Sequence, residues 1–180
     1  MVDNENETKT IPELHKEKAQ RPLRAGVLTI STSRHDKLDL DVSGKIIIDL
    51  LKTQGCEVFA YMGRPDDVID IQEKIRDWVA DDAVDLIITT GGTGVSPDDV
   101  TVEAVEPLLS KRIPGFGELF RLMSYKEVGV SSFASRAFGG VIDKTLIFCL
   151  PGSPAAVKLA MELIILPEAG HLLAHIKKKI

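Results

Sequence analysis

Thr89-Thr90-Gly91-Gly92-Thr93-Gly94 closes an apolar run, and Val95-Ser96-Pro97-Asp98-Asp99-Val100-Thr101 follows it directly. Glycines without Cβ atoms let a ligand approach the main chain and let a turn visit positive φ. Successive N–H groups in such a turn form an anion-binding nest, and a helix start after it would add the positive end of its dipole. The segment is not a Walker A loop, because the Gly-Lys-Ser/Thr ending is missing, and it is not a GxGxxG turn. The plainer alternative is a tight strand-to-helix turn with Asp98 or Asp99 as N-cap. Three glycines within four residues are more than that turn needs.

Three further segments could take part. Gly63-Arg64-Pro65-Asp66-Asp67 puts two acids at a helix start. They could be caps, or a carboxylate there could hold Mg²⁺, which favours one or two carboxylates plus phosphate oxygens. Leu150-Pro151-Gly152-Ser153-Pro154 is a second strand-to-helix turn, either a capped turn or a source of N–H groups and a hydroxyl for a nucleotide. Glu118, in Pro114-Gly115-Phe116-Gly117-Glu118, and Ser135-Arg136 could form a surface ion pair or line a pocket. His171 and His175 stand at helical i, i+4 spacing without a third ligand nearby, which reads as a surface face rather than a metal site.

The elements that must position these residues follow from hydrophobic periodicity. Ala25–Ser31, Glu57–Met62 and Val84–Thr90 read as strands, the last buried on both faces. Between them lie a helix capped by Ser43, with Ile46, Ile47, Leu50 and Leu51 on one face, and a helix bearing Val68, Ile71, Ile75, Trp78 and Val79. This alternation predicts right-handed crossovers and a mainly parallel sheet. Thr101–Ser110 and Gly117–Lys126 read as two short helices. Phe138–Ile142 and Thr145–Leu150 flank Asp143-Lys144 as a hairpin, which supplies one antiparallel strand. Ser153 and Pro154 open a last helix that Pro167 should break. The glycine and proline turns each follow a strand, so they can meet on one sheet edge as a phosphate-binding cleft flanked by acids.

The chain has 180 residues, 44% of them hydrophobic, and a formal net charge of −5. That size suits one domain, expected over residues 24–180 behind a flexible tail of residues 1–23. No sequence run reads as a bilayer span, and residues 1–20 lack the apolar centre of a secretory signal, so a cytoplasmic protein without a membrane partner is expected. The acidic balance argues against nucleic acid as a partner. It does not exclude a small anion held by backbone N–H groups. Cys56 and Cys149 match no metal or redox spacing and read as core residues.

The segments TTGGTGVSPDDVTVEA, IPGFGELFR, SRAFGG and LPGSPAAV, in that order, resemble the MoaB/MogA family of molybdenum cofactor biosynthesis proteins, which includes the G domain of gephyrin. Asp41-Val42-Ser43-Gly44 and Pro65-Asp66-Asp67 fit the same pattern, and the resemblance covers about residues 25–175. It implies an α/β fold, a three-layer α/β/α sandwich with a mostly parallel sheet carrying one antiparallel strand. It implies Mg²⁺-dependent adenylation of molybdopterin by ATP, with release of pyrophosphate, before metal insertion. Asp66 would be a catalytic acid and Mg²⁺ ligand, and Asp99 the second catalytic acid. Gly91, Gly92, Thr93, Gly94, Glu118, Ser135 and Arg136 would contact the substrate, and Pro151, Gly152, Ser153 and Pro154 the nucleotide. A homotrimer or homohexamer and a downstream metal-insertion protein are the implied protein partners. Asp98 stands where many members carry Arg, which removes a positive charge beside the phosphate site. The alternatives are a non-catalytic molybdopterin-binding or scaffold protein of the same pathway and, from Asp98-Asp99, a CinA-like nucleotide pyrophosphatase.

Overall fold

Alternate residues of the central strands serve two different cores. Ala25 and Val27, Leu86 and Ile88, and Leu146, Phe148 and Leu150 belong to one cluster. Leu28 and Ile30, Ile87, and Ile147 and Cys149 belong to the other. Side chains alternate across a strand, so uninterrupted apolar runs mark a sheet covered on both faces. The computed structural model describes residues 22–33, 35–80 and 84–178. The expectation of a flexible tail falls mostly on residues 1–21, outside that set.

The sheet has six strands in the order β2-β1-β3-β6-β5-β4. They are β1 (Arg24–Ile30), β2 (Glu57–Arg64), β3 (Leu86–Thr90), β4 (Lys111–Arg112), β5 (Phe138–Ile142) and β6 (Thr145–Leu150). β1 runs parallel to β2 and β3, and β3 parallel to β6. β5 pairs antiparallel with both β6 and β4, so it is the one reversed strand. The two-residue β4 lies where the hydrophobic pattern suggested only a linker; two exposed charged residues carry no strand periodicity.

The reversal has a positional effect. Phe138 opens β5 opposite Cys149, near the end of β6. Ser135 and Arg136 therefore reach the same sheet edge as the residues leaving β3 and β6.

One face is covered by α1 (Val42–Thr53), α4 (Pro114–Val128), α5 (Pro154–Ala160) and α6 (Leu166–Ile176), through Ile47, Leu51, Phe116, Phe120, Val157 and Leu173 among others. The other is covered by α2 (Val68–Ala80) and α3 (Thr101–Val105), through Ile71, Ile75, Trp78, Ala104 and Val105. These are the three layers the resemblance implied.

Several local expectations are corrected. Asp41, not Ser43, caps α1, accepting a hydrogen bond from Gly44 N–H at 2.8 Å. A carboxylate is the better acceptor and meets the helix dipole. Asp67 caps α2 by accepting from Asp70 N–H at 2.9 Å, which leaves Asp66 for another role. Pro167 does not end the last helix. A π turn at Met161–Ile165 joins α5 to α6, and the wider turn just before Pro167 accommodates its missing N–H. The continuous helix Pro154–Ile176 has 23 residues and is long and apolar enough to cross a membrane, against the sequence expectation. Met161, Ile165, Ala169 and Leu173 on it are buried in the core beside the sheet. Lys177, just past the end of that helix, ion-pairs with buried Asp85.

Candidate functional site

Gly91 leaves β3 at φ 105° and Gly92 follows at φ 63°, a conformation that L side chains rarely adopt. A Cβ on Gly91 would strike the carbonyl oxygen of Ile30. A Cβ on Gly92 would strike Thr101 Oγ1 and lie 3.0 Å from Asp66 Oδ1. The glycines thus bring the ends of β1, β2 and β3 together. Thr101 stitches the turn closed: its N–H donates to Gly92 O at 3.0 Å and its hydroxyl to Gly91 O at 2.8 Å.

The amide of Gly91 donates to Leu150 O. The amides of Gly92, Thr93 and Gly94 donate to no acceptor among the described residues. Three spare donors in succession are what an anion needs. The expected helix start directly behind them is absent, because α3 begins only at Thr101 and Val100 gives it no side-chain cap. In that stretch Asp99 N–H donates to Ser96 O at 3.0 Å, closing a turn ahead of α3. An anion bound at this turn would rest on backbone amides and not on a helix dipole.

Asp66 stands just after β2 and faces this turn. Its Oδ2 accepts from Thr32 N–H at 2.7 Å and Thr32 Oγ1 at 2.8 Å. Its Oδ1 has no partner among the described residues and lies against Gly92. Asp99 does not cap α3. Its carboxylate folds back to accept from Ser96 N–H at 2.9 Å, and Oδ2 would be 2.6 Å from a Cβ on Gly94. Both acids thus border the same turn. Among the described residues no three His, Cys, Asp or Glu side chains could hold a metal together. The donor set suits a cation that takes one or two carboxylates and completes its shell with phosphate and water, as Mg²⁺ does. His171 and His175 stack on each other at 4.7 Å on α6, as a helix-face pair.

Arg136 makes no ion pair with Glu118. Its Nη1 donates to Glu103, Nε to Gly94 O at 2.6 Å and Nη2 to Asp99 O at 2.8 Å. The guanidinium beside Glu103 holds that carboxyl below its ordinary range. Glu118 is exposed on α4, so that pairing is corrected: β5 delivers Arg136 to the Gly94–Asp99 loop. Ser135 accepts from Ala137 N–H at 3.3 Å.

The Pro151–Pro154 turn completes the edge. A Cβ on Gly152 would sit 3.6 Å from Gly91 Cα, so the turns after β3 and β6 are adjacent. Pro151 O accepts from Thr90 Oγ1 at 3.0 Å, and Gly152 O accepts from Ser43 Oγ at 2.7 Å. Ser153 occupies the N-cap position of α5 with Pro154 next, but its hydroxyl makes no capping bond. Sequence reasoning missed Thr32, Asp41, Thr101 and Glu103. Asp41 is buried and accepts from Thr29 Oγ1, Tyr61 hydroxyl and Gly44 N–H. Burial, with Asp41 alongside, pushes the Tyr61 hydroxyl far above its ordinary range. The signal for Asp41 lay in Asp-Val-Ser-Gly; Thr32, Thr101 and Glu103 carry no local signal.

The geometry agrees with relationships to known proteins. Residues 26–171 match the family model described as a probable molybdopterin binding domain. The molybdenum cofactor biosynthesis protein B of Staphylococcus aureus (strain MRSA252) is 46% identical over 164 residues, 89% of this chain and 96% of that protein. A crystal structure of a molybdenum cofactor biosynthesis protein B superposes with a TM-score of 0.85 at 42% identity, covering 90% of this chain and all of that one. The crystal structure of the tungsten cofactor synthesizing protein MoaB from Pyrococcus furiosus gives 0.81 at 36% identity, over 89% of this chain and 100% of the other.

Proposed function

The chain belongs to the MoaB/MogA family of molybdenum cofactor biosynthesis proteins, and from that premise we propose that it is a molybdopterin adenylyltransferase using ATP. An oxygen of the terminal phosphate of molybdopterin attacks the α-phosphorus of ATP. A P–O bond forms there, and the bond to the pyrophosphate leaving group breaks. The observation that carries this reading is the row of unpartnered amides at Gly92, Thr93 and Gly94, beside the free Oδ1 of Asp66.

Each residue has a role in that chemistry. The three amides hold phosphate oxygens and stabilise charge that develops on them, which is where preorganised donors are most effective. Asp66 would hold Mg²⁺ through Oδ1, with Thr32 fixing the carboxylate by its two bonds to Oδ2. The cation, when bound, offsets phosphate charge. Asp99 borders the opposite end of the turn as the second acid. The Pro151–Pro154 turn, with the uncommitted Ser153 hydroxyl, faces the nucleotide. Ser135 and Glu118 would contact the pterin, as the family resemblance implies. No side-chain nucleophile is needed, because phosphoryl chemistry of this kind depends on alignment and electrostatics.

The protein acts in the cytoplasm as a homotrimer or homohexamer and passes its product to a metal-insertion protein. Self-association is supported by Leu119, Leu122, Tyr125 and Val128, exposed along α4, and by Val130 and Phe133 just beyond it. Exposed apolar faces of this kind mark contact surfaces.

Incubation with molybdopterin, ATP and Mg²⁺ should yield adenylylated pterin and pyrophosphate. Asp66→Ala should lower the rate roughly 10²-fold or more. Calorimetric pterin binding with no product above an enzyme-free control overturns the proposal in favour of a binding protein. Release of AMP from an ADP-ribose-like compound without pterin would favour the hydrolase. Replacing ATP by GTP identifies the nucleotide.

A further inference from the structure

Among the described residues, the side-chain hydrogen bonds that tie the Gly94–Asp99 loop to the rest of the protein come from Arg136. The loop's internal bonds, Asp99 N–H to Ser96 O at 3.0 Å and Ser96 N–H to the Asp99 carboxylate, close it on itself without anchoring it. Its anchors among the described residues come from Arg136. The main-chain N–H donates to Thr93 O at 3.1 Å, Nε to Gly94 O and Nη2 to Asp99 O. The guanidinium thus bridges both ends of the loop, while Nη1 rests on Glu103 in the first turn of α3. Arg presents its donors in a rigid planar fork, and three of them point at three separate acceptors here. An ammonium is a point charge and cannot span that set.

We propose that Arg136 is a positioning residue that sets the Gly94–Asp99 loop, and with it the Asp99 carboxylate, and that Glu103 holds the guanidinium in the orientation this requires. The proposal deepens the transferase reading and rests on it for the kinetic part only. A loop that loses its anchor still carries Asp99, but no longer at one place, and small misplacements of a reacting arrangement cost far more in rate than in binding.

The test compares Arg136→Lys, Arg136→Ala, Glu103→Gln and Glu103→Ala in the full chain, by amide hydrogen exchange and by kinetics. In both Arg136 variants exchange at residues 95–99 should accelerate roughly tenfold or more, while β3 amides keep their protection. Their kcat should fall on the order of 10²-fold with little change in KM for the pterin. Glu103→Gln keeps an acceptor for Nη1 and should behave like the parent, whereas Glu103→Ala should speed exchange in the loop. Parental exchange in Arg136→Lys overturns the proposal, since charge alone would then suffice. A raised KM with unchanged loop exchange also overturns it, because Arg136 would then act on the substrate directly. Exchange needs no substrate, so it decides the positioning role even if the parent protein makes no adenylylated pterin.

Discussion

Ser43 Oγ donates to the carbonyl of Gly152 at 2.7 Å, joining the first turn of α1 to the turn after β6 across 109 positions of sequence. The bond ties the outer wall of the cleft to the helix that Asp41 caps. Ser43→Ala removes one donor and leaves the Gly152 carbonyl without it, which should cost about 1 kcal/mol of stability. The same change should raise KM for the nucleotide more than KM for the pterin. Urea denaturation and two-substrate kinetics check both parts; equal changes in the two KM values would contradict the assigned wall.

Gly91 and Gly115 form a matched pair. Gly91 sits at φ 105° with Ile30 O where its Cβ would be, and Gly115 has nothing near. Gly91→Ala should lose about 2 kcal/mol or more through strain and collision. Gly115→Ala, in the first turn of α4, should be neutral or stabilise by up to about 1 kcal/mol. Thermal or chemical unfolding of the two variants should differ in sign or clearly in size. Equal losses would mean the Gly91 turn can relax.

Stability should fall on the alkaline side. Burial pushes the Cys149 thiol from 9.0 up to about 12 in the folded protein. Below pH 9 both states keep the proton. Between 9 and 12 the unfolded chain releases it and the folded one does not, so stability drops by up to about 1.4 kcal/mol per pH unit from this thiol. The raised Tyr61 hydroxyl acts in the same direction at higher pH. Urea midpoints from pH 8 to 10.5 should slope downward, and less so in Cys149→Ala. In the native protein a thiol reagent should label Cys56 slowly, its thiol being raised by partial burial and by Asp85, and leave Cys149 untouched. Rapid labelling of both would refute the burial.

Leu122 is 64% exposed in the middle of the apolar α4 face. Leu122→Asp should lower the mass measured by light scattering to that of a smaller species, with the far-UV circular dichroism of the parent. An unchanged mass would clear this face of any part in assembly.

How much of this was legible depends on whether a residue's role is local. Gly91–Gly94 and Pro151–Pro154 announce themselves because glycine and proline constrain the backbone wherever they stand, and their meeting at one edge followed from parallel topology. Asp66 and Asp67 are neighbours of the same type, and nothing local distinguishes the one that caps α2 from the one that lies against Gly92. Arg136 was recognisable as a site residue, but its partner was not. Glu118 lies closer in sequence, yet Glu103, in the first turn of α3, is the residue that meets the guanidinium. Likewise Ser43 satisfies every local rule for a cap, and Asp41 takes the position because its carboxylate can also receive Thr29 and Tyr61.

The reversal of β5 also fixes where the molecule can be altered. Its far end is the Asp143-Lys144 turn, two exposed residues with Asp143 at φ 51°, on the sheet edge away from Gly91 and Asp66. Exposed tips of this kind tolerate inserted sequence. A reporter peptide or affinity handle spliced between Asp143 and Lys144 would project from the opposite pole, leaving the cleft open for ligand titration on an immobilised or fluorescently tagged protein.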